Sequence, residues 1–488
     1  MEINNLTPAE RRVWEAFPRG EAVDFFEDYG ELPEDRELSL PERTLRASVL
    51  RSLLLRSDRE EGHTAEVWVA GARITGHLYV GYSTIDVPVH LEGCVFDEAP
   101  DFYGAQIRQL ELPGSTMPTL HAATVRIDGV LRISGCRIPG AVRLGGARIA
   151  GAFFLDGAML GGATDLDEPA LQLNHSVVDG DIVGPGLIAH AQVRMVGTTV
   201  AGSVDLDDAR LHDRDGSALE AENLTVGSDL RAMRLQTRGR LNLRGARIPG
   251  QLNLAYADLA HPEGVALRAS NAAVGELWLR AAHPVRGAVN LRGARIDLLH
   301  VAPETLPAKI RLDGLTYGTL APHEPAEKRL PMLQRDQGGY VPFAYEQLTA
   351  AYQRIGDADA ARTVQLAKQR RHRTTLPTYA RLWGHIQDAT VGYGFRPMRA
   401  AAWLVSLLAV GSIAFSLHHP SPLKPGESPA FNPVFYALDL LLPIIDFGQQ
   451  SAFSPTGWHQ ALSYALIITG WILATTVAAG ITRTVSRQ

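Results

Sequence analysis

Residues 131–160 read LRISGCRIPGAVRLGGARIAGAFFLDGAML. Within this stretch, large apolar residues recur at alternating separations of 5 and 6, which fits neither an α-helix nor a simple hairpin strand. They are Ile133, Ile138, Leu144, Ile149, Leu155 and Leu160. This rhythm predicts a β-solenoid, in which short strands stack coil upon coil.

The same text returns along much of the chain. Gly-Ala-Arg-Ile begins at Gly71, Gly146, Gly245 and Gly293, and Gly-Cys-Arg-Ile begins at Gly135. Two 11-residue units make a coil of 22, so residues 67–320 predict a solenoid of 11 or 12 coils. In one unit, Val142, Leu144, Ala147 and Ile149 should point inward, because side chains alternate along short strands. The register is poorest at Asp97–Pro118, Thr164–Asn174 and His212–Glu222, where we expect loops or side projections.

Arginines recur at one position of this unit. They are Arg73, Arg137, Arg148, Arg247 and Arg295. Their shared position predicts a ladder on one face of the solenoid, with two possible roles: a solvated face, or a docking face for an acidic protein partner. A basic ladder argues against DNA mimicry, which needs an acidic rod.

Residues 1–66 predict a helical cap on the first coil. Thr7-Pro8-Ala9-Glu10 has the composition of a helix N-terminus, and Arg43–Leu55 has apolar residues at helical spacing. A solenoid needs such a cap because its first strands otherwise expose an open sheet edge. A separate helical module is the alternative.

Residues 321–395 predict a linker and a helical hairpin. Pro322, Pro325 and Pro331 mark the linker, and Tyr345–Arg373 predicts two helices around a Gly356-Asp357 turn. The text AAYQRIGDADAAR resembles one tetratricopeptide-type hairpin. A single copy cannot form a binding superhelix, so we expect it to cap the solenoid or to bind a partner.

Residues 396–488 predict a membrane hairpin of two transmembrane helices. Ala400–Leu417 and Ala461–Ile481 carry no charge over 18 and 21 residues. Basic residues precede the first span and follow the second, and Lys424 is the basic residue between them. This asymmetry predicts both termini and the solenoid in the cytoplasm. The N-terminal text MEINNLTPAERRVWEAF has no apolar stretch after its charges, so we expect no secretory signal.

For three groups of residues near the membrane, the sequence predicts a contact with lipid, with a polar pathway or with another helix. Lys368, Arg370, Arg371 and Arg373 contact anionic lipid or form a solvated helix face. Phe431–Phe447 contains prolines, Asp439 and Asp446, which predicts an interfacial or re-entrant segment whose carboxylates line a polar pathway or sit at headgroup level. Gly470, Ala474 and Ala478 recur every four residues, which allows close packing against the first span or a second subunit.

Two motifs match known functional sites in sequence but lack the flanking elements that those sites require. Thr390-Val391-Gly392-Tyr393-Gly394 spells a potassium-channel filter but precedes the first span, whereas a filter needs helices on both sides. It resembles the GYG-x-RP approach to the membrane in repeat proteins with a two-span tail. The GxGxxA text at Gly184 runs into another repeat instead of opening a helix.

Catalytic, cofactor-binding and metal residues are therefore not predicted. Cys94 and Cys136 lie at small-residue positions of the repeat, so we expect reduced, inert thiols. The net charge of -6 does not suggest a nucleic-acid partner.

Two resemblances extend this reading. Ala147-Arg148-Ile149 and Ala257-Asp258-Leu259 resemble pentapeptide-repeat proteins, which implies a mainly β fold built on a right-handed, four-sided parallel β-helix. Over nearly its whole length, through RTLRASVLRSLLL, the GARI repeats and GWILATTVAAGITR, the chain resembles actinobacterial proteins commonly called membrane-associated oxidoreductases.

Three functional hypotheses follow. The first is a membrane-anchored cytoplasmic scaffold for an unidentified protein partner, without catalysis. The second is a channel-like homo-oligomer with a cytosolic solenoid sensor. The third is an oxidoreductase, which has the family label but no motif in its favour.

Overall fold

A computed structural model describes residues 5–29, 41–56, 62–162, 167–213, 216–280, 283–381, 384–385, 397–424, 429–442 and 445–485. The chain divides into two compact units, residues 1–347 and 348–488. The first unit contains the repeats, and the second contains helices.

The repeats form a parallel β-solenoid of about 11 turns, which confirms the predicted stacking and agrees with a pentapeptide-repeat-like fold. Each complete coil contributes to four columns of stacked strands, which we call A, B, C and D in chain order. Arg126 of column A pairs with Arg148, 22 residues further on, so one coil is two repeat units. Longer coils occur where Phe153 pairs with Ile182 and where Thr199 pairs with Thr225, and they include two of the three segments of poor register.

The strands of each column are short. Column A contains Arg126–Ile127, Arg148–Ile149, Val177–Val178, Thr199–Val200 and Thr225–Val226. Column B contains Val23–Asp24, Val67–Ala70, Leu131–Arg132, Phe153–Phe154, Ile182–Val183, Val204–Asp205 and Leu230–Arg231. Longer strands running through A and B are Thr84–Glu92, Gln106–Glu111, Arg247–Asn253, Ala273–Leu279, Arg295–Val301 and Thr316–Ala321.

The other two columns have the same character. Column C contains Thr44–Arg46, Arg73–Thr75, Val95–Phe96, Arg137–Ile138, Met159–Leu160, Ile188–Ala189, Arg210–His212 and Gln236–Arg238. Column D contains Leu120–His121, Val142–Arg143, Leu171–Gln172, Val193–Arg194, Leu219–Glu220, Leu241–Asn242 and Lys309–Arg311. Strands running through C and D are Asp258–Arg268 and Arg286–Asn290.

The core follows the predicted alternation. Val142, Leu144, Ala147 and Ile149 are all buried, whereas Arg148 is exposed. The strand Gln106–Glu111 pairs with Thr84–Glu92, so the expected loop at Asp97–Pro118 is wrong, because this coil also stacks in register.

Glycine between columns A and B lets consecutive coils approach closely. A Cβ atom on Gly180 would lie 2.8 Å from backbone atoms of Gly151 in the preceding coil, and one on Gly227 would lie 1.8 Å from the carbonyl oxygen of Ala201. The solenoid thus requires glycine here for steric reasons, although Gly227 does not have a left-handed backbone.

The turn from column D to the next column A contains one residue with a left-handed backbone in each coil. Its left-handed position alternates between glycine and a larger residue from Tyr82 to Gly293, and the last coil has a second consecutive glycine, Gly314. The alternating residues are Tyr82, Gly104, Thr124, Gly146, His175, Gly197, Asn223, Gly245, Asn271 and Gly293. The larger side chain lies over the glycine of the next coil, as the Tyr82 ring does over Gly104, 3.0 Å from an added Cβ. We call this turn the D–A corner.

Helices precede the first coils. They are α1 (Pro8–Ala16), α2 (Phe26–Tyr29) and α3 (Ala47–Leu54), with 3₁₀ turns at Phe17–Arg19 and Pro41–Arg43. Thr7 and Glu10 form a reciprocal capping box at α1. Thr44–Arg46 pairs with Arg73–Thr75, so part of the predicted helix Arg43–Leu55 is a column C strand.

Helix α4 (Ala326–Gln334) closes the last coil. The buried Arg329 donates from Nη1 to the carbonyl oxygen of Val301 at 3.3 Å, and Leu312 N donates to Asp336 Oδ2 at 2.7 Å. Pro331 therefore lies inside a helix and not in the predicted linker.

The second unit begins within α5 (Pro342–Arg354). Its further helices are α6 (Ala358–Arg373), α7 (Pro397–Leu417), α8 (Pro433–Leu441) and α9 (Trp458–Val485), and Ser421–Pro422 pairs with Phe453–Ser454. Among the described residues one helix, Arg399–Leu417, is long and apolar enough to cross a membrane. The second predicted span falls in α9, whose side chains the structure describes as far as Ala474, and it stays a prediction.

Candidate interaction surface

The five predicted arginines do not form one ladder. Arg73 and Arg137 lie in column C, whereas Arg148, Arg247 and Arg295 lie in column A. The physical reason is that the repeat unit is half a coil, so equivalent positions alternate between two faces. The prediction of a single arginine face is therefore wrong.

The environments of these arginines also differ. Arg73 is half-buried and its Nε donates to Asp97 Oδ1 at 2.9 Å, so it belongs to an ion pair within the solenoid. Arg137 is exposed between Thr116 and Met159. The coil neighbours of Arg247 and Arg295 in column A are threonine or alanine.

Arg148 has a charged neighbour that the sequence analysis missed. Its partner in the preceding coil is Arg126, and both side chains are exposed. Neither guanidinium has a hydrogen bond or an ion pair with a residue that the structure describes. Arg126 stands before Ile127 as Arg148 stands before Ile149, so its position in the repeat was the available signal.

Several other arginines of the solenoid form ion pairs with carboxylates of a neighbouring coil. Arg132 Nε lies 2.8 Å from Glu111 Oε2, and Arg231 Nη2 lies 2.8 Å from Asp207 Oδ2. The hydrogen bond that Arg231 donates to Asp207 raises the pKa of Arg231, so this guanidinium stays charged. Arg126 and Arg148 differ in being adjacent like charges on column A without an ion pair to a residue that the structure describes.

Exposed tyrosines lie at the same end of the solenoid. Tyr79, Tyr82 and Tyr103 are 42%, 73% and 41% exposed. The rings of Tyr82 and Tyr103 are 5.3 Å apart in an edge-to-face arrangement. Desolvation, assisted by Tyr103, raises the pKa of Tyr82, so the phenol stays neutral and able to donate a hydrogen bond near neutral pH.

These residues lie on four consecutive coils: Tyr79 in column D, Tyr82 and Tyr103 at or next to the D–A corner, and Arg126 and Arg148 at the start of column A. Gly104 lies under the Tyr82 ring, Thr124 follows one coil later, and Arg126 comes two residues after Thr124. We call Tyr79, Tyr82, Tyr103, Arg126 and Arg148 the tyrosine–arginine corner. Tyrosine and arginine are the residue types that contribute most to protein interfaces.

The basic residues near the membrane lie at one helix end. Lys368, Arg370, Arg371 and Arg373 are in the last turns of α6, where cations interact favourably with the helix dipole. Arg373 Nη1 also donates to the carbonyl oxygen of Gly384 at 3.3 Å. This placement gives the cluster a structural role, and lipid contact stays a prediction.

Asp439 organises the loop after α8. Its buried carboxylate accepts from the backbone N–H groups of Phe447, Gln449 and Gln450 at 2.6, 2.8 and 3.0 Å. Asp446 is exposed and accepts from Gly448 N at 2.7 Å. The Asp439 carboxylate is thus already engaged by the loop, and a role for either residue in a polar pathway stays a prediction.

Gly470, the first of the predicted small residues of α9, faces α8 within the same chain. An added Cβ on Gly470 would lie 2.3 Å from the carbonyl oxygen of Leu441, the last residue of α8. Gly411 of α7 similarly lies close to Ala437 of α8. Ala474 is half-buried, and the Ala478 side chain falls outside the described part, so packing against a second subunit stays untested.

The two cysteines are buried in the solenoid core. Burial raises the pKa of both Cys94 and Cys136 to about 12, so neither thiol ionises near neutral pH. Among the described residues, histidine, cysteine and acidic side chains do not form a group of three or more that could hold a metal ion. The Thr390–Gly394 motif lies outside the described residues.

Comparison with protein-family models, with curated proteins and with solved structures finds no match to this chain.

Proposed function

We propose that this chain is a membrane-anchored β-solenoid that acts as a protein-interaction platform. The tyrosine–arginine corner carries the proposal, because it combines exposed aromatic rings with two adjacent arginines that form no ion pair with a described residue. A stack of parallel strands presents such side chains at fixed spacing, since each coil is held by its neighbours. Partner binding then requires little ordering of the platform itself.

The finer features of this proposal come from the sequence. The solenoid winds right-handed, as pentapeptide-repeat proteins do, and lies on the cytoplasmic side. Arg399–Leu417 supports the anchor by its length and apolar composition. The second span lies in α9, and close packing of α8 between α7 and α9 supports a compact hairpin.

Site-specific photo-crosslinking in intact cells tests the platform. A crosslinking amino acid replaces one exposed residue on each of three faces: Thr199 in column A, Arg194 in column D and Gln236 in column C. A second set replaces Thr124 of the D–A corner. We expect a discrete, recurring protein product from Thr124 or from another column A position, and none from at least one other face.

Absence of a discrete product from every position would contradict a platform. Ion flux through vesicles that contain the purified chain would instead favour the channel hypothesis. Each outcome is read from the same full-length protein, so loss of folding does not mimic either result.

A further inference from the structure

We propose that the tyrosine–arginine corner binds an acidic protein segment, with its carboxylates on Arg126 and Arg148 and its apolar atoms on Tyr82 and Tyr103. This inference rests on the proposed platform function and names the chemistry of its partner. Three independent observations carry it: unpaired like charge, backbone strain, and exposed aromatic rings.

The first observation is electrostatic. Strand neighbours in a parallel sheet lie about 4.8 Å apart, and like charges directly opposite each other destabilise a sheet. Along column A, Arg126 and Arg148 are the neighbours that carry like charge, and neither has a partner among the described residues. A carboxylate bound between them would neutralise this repulsion through charge-assisted hydrogen bonds.

The second observation is conformational. Tyr82 and Thr124 have φ values of 59° and 57°, in the left-handed region that disfavours bulky and β-branched residues. Further along the same corner this position is occupied by Asn223 and Asn271, which tolerate it better. Residues with strained backbones cluster at functional sites, and here two of them lie beside the proposed contact.

The third observation is the fixed geometry of the aromatic rings. The Tyr82 ring rests on Gly104 and meets the Tyr103 ring edge-to-face, so binding costs little side-chain entropy. Rings of this kind cover the apolar stems of a bound segment, while the arginines two and three coils beyond Tyr82 select its charge.

Charge on the surrounding face selects a short acidic segment over a nucleic acid. The exposed carboxylates of Asp86, Asp128 and Asp179 lie on the same column as the two arginines. A continuous phosphate backbone would run into these carboxylates, because such ligands need a row of positive contacts. A short segment with two or three carboxylates needs only the contacts to Arg126 and Arg148, which are paired with each other across coils and not with these aspartates.

Fluorescence anisotropy on full-length protein in detergent tests the inference. The probe is a short fluorescein-labelled peptide of alternating Glu and Ala, and its control replaces every Glu with Gln. The test variant is Arg126→Glu with Arg148→Glu. The matched control is Arg247→Glu with Arg295→Glu, which reverses two exposed charges of the same column without changing a like-charge pair.

We expect the Glu peptide to bind the wild type, and the test variant to bind it about tenfold more weakly or worse. The control variant should stay within about twofold of wild type. Tyr82→Ala should weaken binding while both arginines remain, and circular dichroism should show that each variant keeps its strand content.

Equal weakening by both double variants, equal binding of the Gln peptide, or no binding by the wild type would overturn the inference. Displacement of the peptide by single-stranded DNA at lower concentration than by unlabelled peptide would also overturn it. If these binding tests fail but crosslinking finds a partner on another face, the chain is still an interaction platform. The tyrosine–arginine corner is then not its binding site.

Discussion

Replacing Gly227 with alanine should destabilise the solenoid more than replacing Gly157, although only Gly157 has a left-handed backbone. The φ of Gly157 is 63°, but an added Cβ there would meet no atom within 4 Å. At Gly227 the added Cβ would lie 1.8 Å from the carbonyl oxygen of Ala201. Both glycines are exposed, so burial does not distinguish them.

The two costs can be estimated separately. Alanine in the left-handed region at position 157 costs about 1–2 kcal/mol. At position 227 the added Cβ forces the coils apart, and this overpacking costs about 1–3 kcal/mol. The separation also weakens the hydrogen bond from Gly227 N to Val200 O, which is 2.8 Å long in the wild type. Loss of that hydrogen bond costs about 1 kcal/mol. We therefore expect Gly227→Ala to lower the free energy of unfolding by about 3 kcal/mol, roughly twice the effect of Gly157→Ala.

Urea unfolding of the full-length protein in detergent, followed by the far-ultraviolet circular dichroism of the strands, measures both variants. Gly186→Ala serves as a second control, because its φ is 69° and an added Cβ meets nothing within 4 Å. If Gly157→Ala and Gly186→Ala destabilise the protein as much as Gly227→Ala, then backbone conformation and not contact between coils determines where this solenoid needs glycine.

Two further predictions concern buried carboxylates. Burial of Glu10 opposes its ionisation, but hydrogen bonds from Arg46 and Thr7 hold its pKa below the ordinary 4.5. The ionised Glu10 therefore stabilises the folded protein above pH 4.5, and this stabilisation is lost as the pH falls through the folded-state pKa. Glu10→Gln should therefore lower cap stability by about 2 kcal/mol at pH 7, seen as faster hydrogen exchange in α1, and protection equal to wild type would contradict this. Asp439→Asn should destabilise the loop after α8 by about 2–3 kcal/mol in a thermal unfolding assay, because backbone N–H donors lose a charged acceptor. Unchanged stability with altered ion flux would instead place Asp439 on a pathway.

The solenoid could be predicted because its signal is local. Each unit repeats an inward apolar residue, a corner glycine and an outward arginine, as in Val142–Ile149, and stacking follows directly from this alternation. Helix α4 was less visible, because Pro331 suggested a linker, and the contacts of Arg329 with Val301 and Pro322 that hold the helix are distant in sequence.

The face on which each arginine lies depends on the path of the whole coil. Arg137 and Arg148 are one unit apart, which places them half a coil apart on columns C and A. The number of 11-residue units between two arginines therefore predicts whether they share a column, but only where each coil has 22 residues. Between Arg148 and Arg247 the coils lengthen at Phe153–Ile182 and Thr199–Thr225, so counting residues no longer gives the face.

The tyrosine–arginine corner lies where the repeat text is weakest. Gln106 pairs with Arg126, 20 residues later, so this coil is shorter than its neighbours and its register is hard to see in the sequence. Two features there work against stability: a tyrosine in the left-handed region, costing about 1–2 kcal/mol, and two adjacent arginines without acidic partners. Glycine at position 82 and glutamate at position 126 would relieve both within the same fold. These two features, together with the exposed rings of Tyr82 and Tyr103, are the reason for placing the proposed contact with an acidic segment at this corner.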